Sequence, residues 1–213
     1  MAALSQLAGY DYLFEPGSDP TGPLLLLLHG TGGNEQDLIP FARLVAPASD
    51  ILSVRGNVSE NGAARYFRRI AEGVFDLEDL KARTEQLIGF LAAAGKRHVF
   101  SPTRLVALGY SNGANIAASV MLTDPSALRR AILLRAMVPF EPASPPDLRG
   151  CSALIAAGTA DRIIPRANTE RLAALMADAG AAVMLKWQDA AHTLVSADVN
   201  DSREFLQAAF SRG

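Results

Sequence analysis

"LGYSNGAN", residues 108–115, decides how this chain reads. Ser111 stands between Gly109 and Gly113, two positions from each. The run before it, Arg104-Leu105-Val106-Ala107-Leu108, is mostly apolar, and the run after it, Asn115 to Leu122, suits a helix. Gly-x-Ser-x-Gly alone says little, because at average glycine usage it arises by chance in roughly one 200-residue chain in fifteen or twenty. The flanks say more. A serine on a strand-to-helix turn has a strained backbone, and side chains two residues to either side would collide where strand and helix converge. Glycine at both positions is the steric answer. The stretch therefore makes Ser111 a candidate nucleophile and predicts partners for it elsewhere.

Outward from it, strand-like and helix-like runs alternate. Strands are expected at Leu24–Leu28, Ile51–Val54, Arg104–Leu108, Ala131–Met137, Ala153–Ala157 and Val183–Trp187, with residues 10–14 as an antiparallel edge strand. Leu80, Thr84, Leu87, Ile88 and Leu91 mark a helix face ending near Gly95. Leu172, Leu175, Met176 and Ala179 mark a second that stops at Gly180, and Leu206, Ala209 and Phe210 a third. Five consecutive leucines at 24–28 fit a strand covered on both faces. The alternation predicts an α/β fold: a mostly parallel, doubly wound sheet with helices on both faces.

The bulk properties agree. The chain has 213 residues, 49% of them hydrophobic, enough for one sizeable core and a single domain over 1–213 without a separate cap domain. Twenty basic and 22 acidic residues leave a formal net charge of −2, which argues against nucleic acid and anionic membranes as partners. No apolar run is long enough for stable membrane insertion, and no basic stretch precedes an apolar run at the start, so neither a span nor a signal peptide is expected. Cys151 is the only cysteine, which excludes an intrachain disulfide and leans cytoplasmic.

In a parallel sheet, residues just past each strand share one edge, where ligands bind. That edge collects His29 to Gly33, Arg55 to Asn57, Ser111-Asn112, Val138 to Phe140, Thr159 to Asp161 and Asp189 to His192. A serine hydroxyl needs a base to take its proton and a third group to orient that base. His98 precedes a strand and falls at the far edge; His29 sits in a Gly-rich turn, where it holds the loop in shape. His192 follows the last strand and is the candidate base. Asp161 follows a strand between serine and histidine in chain order and is the candidate acid, with Asp189 its rival. Acyl transfer also needs donors for an oxyanion, for which the backbone N–H groups of Asn112 and Thr31 are the candidates. No metal-ligand cluster is visible, and neither a metal nor a cofactor is expected.

The stretches "LLLLLHGTGGNEQDLIPFA", "SVRGNVSENGAARYFRR", "LGYSNGANIA", "AMVP", "GTADRIIP" and "AAHTL" resemble the α/β-hydrolase carboxylesterase/phospholipase family, which borders on the dienelactone hydrolases. They are most similar to its small bacterial carboxylesterases. The resemblance runs from about residue 10 onward. It implies a triad of Ser111, Asp161 and His192, an oxyanion hole at Thr31 and Asn112, and a serine carboxylesterase acting on small to medium esters through an acyl-enzyme. Thioesterase or lysophospholipase activity is a substrate variant of that mechanism; a non-catalytic binding protein on the same fold is the alternative of another class. Dienelactone hydrolases proper carry cysteine at the elbow, where this chain has Ser111. Homodimers are common in the family, though no residue here encodes one.

The segment 57–75 is the longest connection on the active edge and the candidate lid. Tyr66, Phe67, Ile70 and Phe75 are expected to wall an apolar pocket with Met137, Val138, Phe140, Ile163 and Ile164, or else to anchor the segment to the core. Arg65, Arg68 and Arg69 read as a solvated face, or as a clamp for a substrate carboxylate or phenolate.

Overall fold

The computed structural model describes residues 3–210. In chain order the elements are β1 (Ser5–Leu7), β2 (Tyr10–Glu15), β3 (Leu24–Leu28), α1 (Ile39–Val45), β4 (Asp50–Val54), β5 (Val58–Glu60), β6 (Ala63–Arg65), β7 (Arg69–Ala71) and β8 (Val74–Phe75). Then follow α2 (Leu77–His98), β9 (Leu105–Tyr110), α3 (Asn112–Thr123), β10 (Arg130–Leu134), β11 (Ser152–Gly158), α4 (Arg166–Asp178), β12 (Ala182–Gln188) and α5 (Ser196–Phe210). One eight-stranded sheet runs β1-β2-β4-β3-β9-β10-β11-β12, while β5–β6 and β7–β8 form two separate hairpins. From β4 to β12 every pairing is parallel; β1 and β2 are antiparallel additions at one side.

The leucine run of β3 shows why the sheet needs two covers. Side chains alternate across a strand. Leu24, Leu26 and Leu28 join the core under α2 and α3 with Leu87, Leu91, Ile116 and Val120. Leu25 and Leu27 join the core under α1 and α5 with Leu38, Val45, Phe205 and Leu206. All five are buried, and each contributes roughly 2 kcal/mol of burial. A polar residue anywhere in β3 would face apolar surface.

Several expectations shift by a few residues, each for a local reason. Residues 10–15 form an antiparallel strand, but β1 lies outside it, so it is not the edge. The strand expected over 131–137 stops at Leu134. Arg135 takes φ 55, and the N–H of Met137 turns to the Asn115 side chain on α3 (2.8 Å) instead of to a strand. Helix α2 passes through Gly95 and ends at His98, with Val99 in the left-handed conformation and its N–H on the Gly95 carbonyl. Helix α1, with Pro40 in its first turn, and the two small hairpins within 57–75 had no counterpart in the sequence pattern.

Candidate active site

Ser111 joins β9 to α3 with φ 52 and ψ −114. A non-glycine residue here costs of order 1–3 kcal/mol and persists only where its surroundings enforce it. Gly109 and Gly113 are the enforcement: a Cβ on Gly109 would lie 2.6 Å from the Gly113 carbonyl oxygen, and one on Gly113 would run into the Leu28 carbonyl. Helix α3 thus starts pressed against the end of β3. The Ser111 N–H donates to the Leu134 carbonyl (2.9 Å) and its own carbonyl accepts from Asn115 N–H (2.9 Å). The next N–H, that of Asn112, belongs to the first turn of α3, where leading amides have no intrahelical acceptor.

Two other strand ends bring the partners. The loop after β12 carries His192, whose Nε2 lies 2.9 Å from Ser111 Oγ and whose Nδ1 lies 2.8 Å from Asp161 Oδ2. Asp161, just past β11, is 3% exposed at its side chain and His192 17%. The other oxygen of Asp161 accepts from the N–H groups of Ile163 (2.8 Å) and Ile164 (3.1 Å). Burial pushes the Asp161 carboxyl up, but the hydrogen bonds from His192, Ile164 and Ile163 outweigh it and hold the group below its ordinary value. The carboxylate is therefore acceptor-only, and His192 presents Nδ1–H to it with Nε2 left toward the serine. Asp189, the rival, is exposed at the start of the loop. Gly158 lets that loop pass, since a Cβ there would run into the carbonyls of Ala190 and Ala191.

The Gly-rich loop after β3 is braced from beneath. His29 is buried; its Nδ1 lies 2.6 Å from the Gly30 carbonyl and its Nε2 accepts from Gly56 N–H (2.9 Å). Desolvation by burial lowers its pKa. Its backbone N–H donates to the Tyr66 hydroxyl (3.0 Å), which in turn donates to the Val54 carbonyl (2.6 Å). Thr31 and Gly32 are tied to β6: Arg65 Nη1 donates to Thr31 Oγ1 (2.7 Å) and Gly32 N–H to the Ala64 carbonyl (2.8 Å).

These contacts correct part of the expected pocket. Tyr66 and Phe67 are 0% exposed and present no surface to a ligand. The Tyr66 hydroxyl is spent on the backbone, its N–H donates to Asn112 Oδ1 (2.8 Å), and Phe67 packs edge-on against Phe75. The aromatic pair anchors the segment. Arg65 is neither on a solvated face nor free to clamp a substrate: it is buried, held by Thr31, the Phe67 carbonyl and Glu60. Arg68 is exposed and pairs with Asp76 and Asp79; Arg69 pairs with Glu60. Met137 and Val138 stay part-exposed beyond β10, their N–H groups held by Asn115 and Asn168, and Ile163 is exposed beside Asp161. His98 lies at the far edge, on the Tyr12 hydroxyl (3.0 Å) and stacked on Phe14.

Three residues near the site were not singled out from the sequence: Tyr110, Arg135 and Asp198. Tyr110 donates its hydroxyl to the His192 carbonyl (2.9 Å), and Arg135 and Asp198 form an ion pair with both side chains fully buried. Among the described residues, no group of three or more His, Cys, Asp or Glu is placed to hold a metal ion, and no helix is long and apolar enough to cross a membrane.

No family model matches the chain. It is 41% identical over 198 residues to a protein named as the hydrolase MhqD of Bacillus subtilis (strain 168), covering 93% of this chain and 98% of that protein. Among solved structures, a carboxylesterase of Bacillus cereus aligns with TM-score 0.92 and 47% identity over 94% of this chain and 95% of its own. A carboxylesterase from Mesorhizobium loti aligns with TM-score 0.91 and 32% identity over 96% and 98%. With its sheet order, its serine elbow and relatives of this closeness along nearly its whole length, the chain belongs to the α/β-hydrolase carboxylesterase family.

Proposed function

We propose that this protein is a serine carboxylesterase that hydrolyses small to medium carboxylic esters with Ser111 as nucleophile, His192 as general base and acid, and Asp161 as the group that orients it. The observation that carries the reading is the hydrogen-bonded chain Ser111 Oγ–His192 Nε2–His192 Nδ1–Asp161 Oδ2, with links of 2.9 and 2.8 Å. Because Asp161 accepts a hydrogen bond from Nδ1–H and holds the proton on that nitrogen, the Nε2 lone pair faces the hydroxyl that must lose its own.

In the first half-reaction Ser111 Oγ bonds to the ester carbonyl carbon as its proton moves to His192 Nε2. The carbonyl oxygen becomes an oxyanion, held by the N–H groups of Asn112 and Thr31; each such donor is typically worth about 3 kcal/mol in the transition state. Collapse breaks the carbon–oxygen bond, and His192 gives its proton to the departing alcohol. Water then attacks the acyl-serine, with its proton passing to His192. The acid leaves as Ser111 Oγ regains the proton. Met137, Val138 and Ile163 line the acyl or alcohol side of the mouth. None of these steps calls for a metal or cofactor.

The test is a fluorophosphonate probe with peptide mapping, run beside p-nitrophenyl esters of increasing chain length, a thioester and a lysophospholipid. One label at Ser111, with turnover strongest on short and medium oxygen esters, is expected. Preference for the thioester or the lysophospholipid would redirect the substrate class. No label and no turnover on folded protein would favour a non-catalytic binding protein.

A further inference from the structure

Arg135 is the largest of the fully buried side chains, with an exposure of 0%. It leaves β10 at φ 55, a conformation that an L side chain seldom takes. Its guanidinium has five N–H donors in a rigid fork, and every nitrogen is engaged. Nε donates to the Ala191 carbonyl (3.4 Å) and Nη2 to the Thr193 carbonyl (2.7 Å), on either side of His192. Nη1 donates to the Ala156 carbonyl on β11 (3.1 Å). Nη1 and Nη2 each also donate to one oxygen of Asp198, both at 2.9 Å. Asp198 Oδ2 in turn accepts from the Val195 N–H (2.7 Å). The remaining carbonyl, that of His192 itself, takes the Tyr110 hydroxyl at 2.9 Å.

Three successive carbonyls, 191 to 193, are thus gripped by side chains rooted at the ends of β9 and β10. We infer that Arg135, neutralised by Asp198, is a positioning residue for His192, fixing the loop between β12 and α5 so that the imidazole meets Ser111 and Asp161 together. The inference rests on the reading of His192 as the base. The loop has no strand or helix of its own across residues 189–195, so its path is set by these bonds. A buried ion pair is by itself weak evidence for stability, because apolar replacement of both partners is often neutral or stabilising. What this pair supplies is geometry, and small misplacements of a reacting group reduce rates steeply.

The test therefore replaces both partners. R135M/D198L removes the grip without leaving Asp198 buried and unpaired. It is expected to fold, to keep KM for p-nitrophenyl acetate within about twofold and to lose at least about tenfold in kcat. The downfield proton resonance expected in the parent for a histidine N–H bonded to a carboxylate should broaden or vanish in the variant. R135K keeps Asp198 neutralised but gives up the fork, and an intermediate kcat is expected; if the double variant does not fold, R135K decides alone. A folded variant of either kind with kcat within twofold of the parent and the same resonance would overturn the inference. H192A, measured in parallel, separates the two readings. Parental turnover in H192A removes the base assignment itself, whereas an inactive H192A beside fully active clamp variants removes only the clamp.

Discussion

Ser111 and Val99 share a backbone φ of 52, each at the boundary of a helix, and they differ in almost everything else. Ser111 opens α3 with glycines on both sides, its N–H and carbonyl both hydrogen-bonded and its hydroxyl against His192. Val99 closes α2 in the left-handed region with ψ 51, is 89% exposed, and is held by a bond from its own N–H to the Gly95 carbonyl. The same positive φ, with ψ −114 at Ser111 and 51 at Val99, is locked in by buried contacts at one place and merely tolerated at the other. Nothing in the structure explains valine rather than glycine at 99. Strain is informative about chemistry only where the surroundings compel it, and the two positions can be driven apart by experiment.

The largest expected effect lies on the compelled side. Asp161→Asn keeps the shape of the third group but disturbs the tautomer that points Nε2 at Ser111. In the serine protease that serves as the general template the equivalent change costs about 10⁴ in kcat, and a loss of about 10²–10⁴ is expected here. Asp189→Asn should cost under about tenfold. Steady-state kinetics on both, with circular dichroism to confirm folding, separates them; a large loss at Asp189 with near-normal turnover at Asp161 would reverse the assignment.

The steric enforcement can be broken next. Gly113→Ala drives a methyl into the Leu28 carbonyl and should destabilise by about 3 kcal/mol through forced backbone shifts. Gly89→Ala is the control. Gly89 lies mid-helix in α2 and its Cβ would meet nothing within 4 Å, so the same substitution should stabilise by about 1 kcal/mol. Urea midpoints with opposite signs are the expected result, and equal signs would mean that close approach is not what glycine supplies at 113.

Beneath the elbow, His29 adds a pH dependence. Burial lowers its folded pKa, while the unfolded chain takes up a proton near the ordinary value of about 6.5. Below that pH the unfolded state binds more protons than the folded one, so stability present above about 6.5 is lost as the pH falls toward the folded pKa. The slope cannot exceed about 1.4 kcal/mol per pH unit from this group. His98 is shifted the same way by burial and contributes in the same sense. His29→Asn should flatten the fall in melting temperature between pH 7 and 5 relative to the parent; an unchanged slope would mean that His29 does not carry the effect.

How much of this was legible in the sequence depends on how local each signal is. The parallel strands and the faces of α2 and α4 are written in runs of apolar residues, because burial on one or two sides demands them. Ser111, Asp161 and His192 could be picked out by chain order and strand ends, before any distance was known. Helix α1 is seven residues with Pro40 near its start, too short for periodicity, and strands of two or three residues in β5 to β8 carry no pattern. Tyr66 and Phe67 could be read as pocket walls or as anchors to the core, because aromatic residues signal burial without saying against what. Arg135 left a trace, a cation inside "AILLRAMVP", but its partner lies 63 residues away and no local rule links them.

The smallest effect tests the tolerated side of the comparison. Val99 is β-branched and sits where Cβ crowds the following carbonyl, a cost of roughly 1–2 kcal/mol for an L residue. Val99→Gly removes that crowding but adds backbone entropy to the unfolded chain, which returns part of the gain. A net stabilisation of up to about 1 kcal/mol is expected from denaturant unfolding, with kcat and KM unchanged. Ser111→Gly relieves the equivalent φ and should gain a similar amount while abolishing turnover, because Oγ goes with the Cβ. Ser111→Ala also abolishes turnover but keeps the Cβ, and should leave stability near that of the parent. If Val99→Gly gains stability and Ser111→Gly gains none, the elbow is rigid enough that its strain cannot relax when its cause is removed. If Ser111→Gly gains and Val99→Gly does not, the strained serine is where this fold gives up stability for its site, and the exposed valine is accommodated without cost.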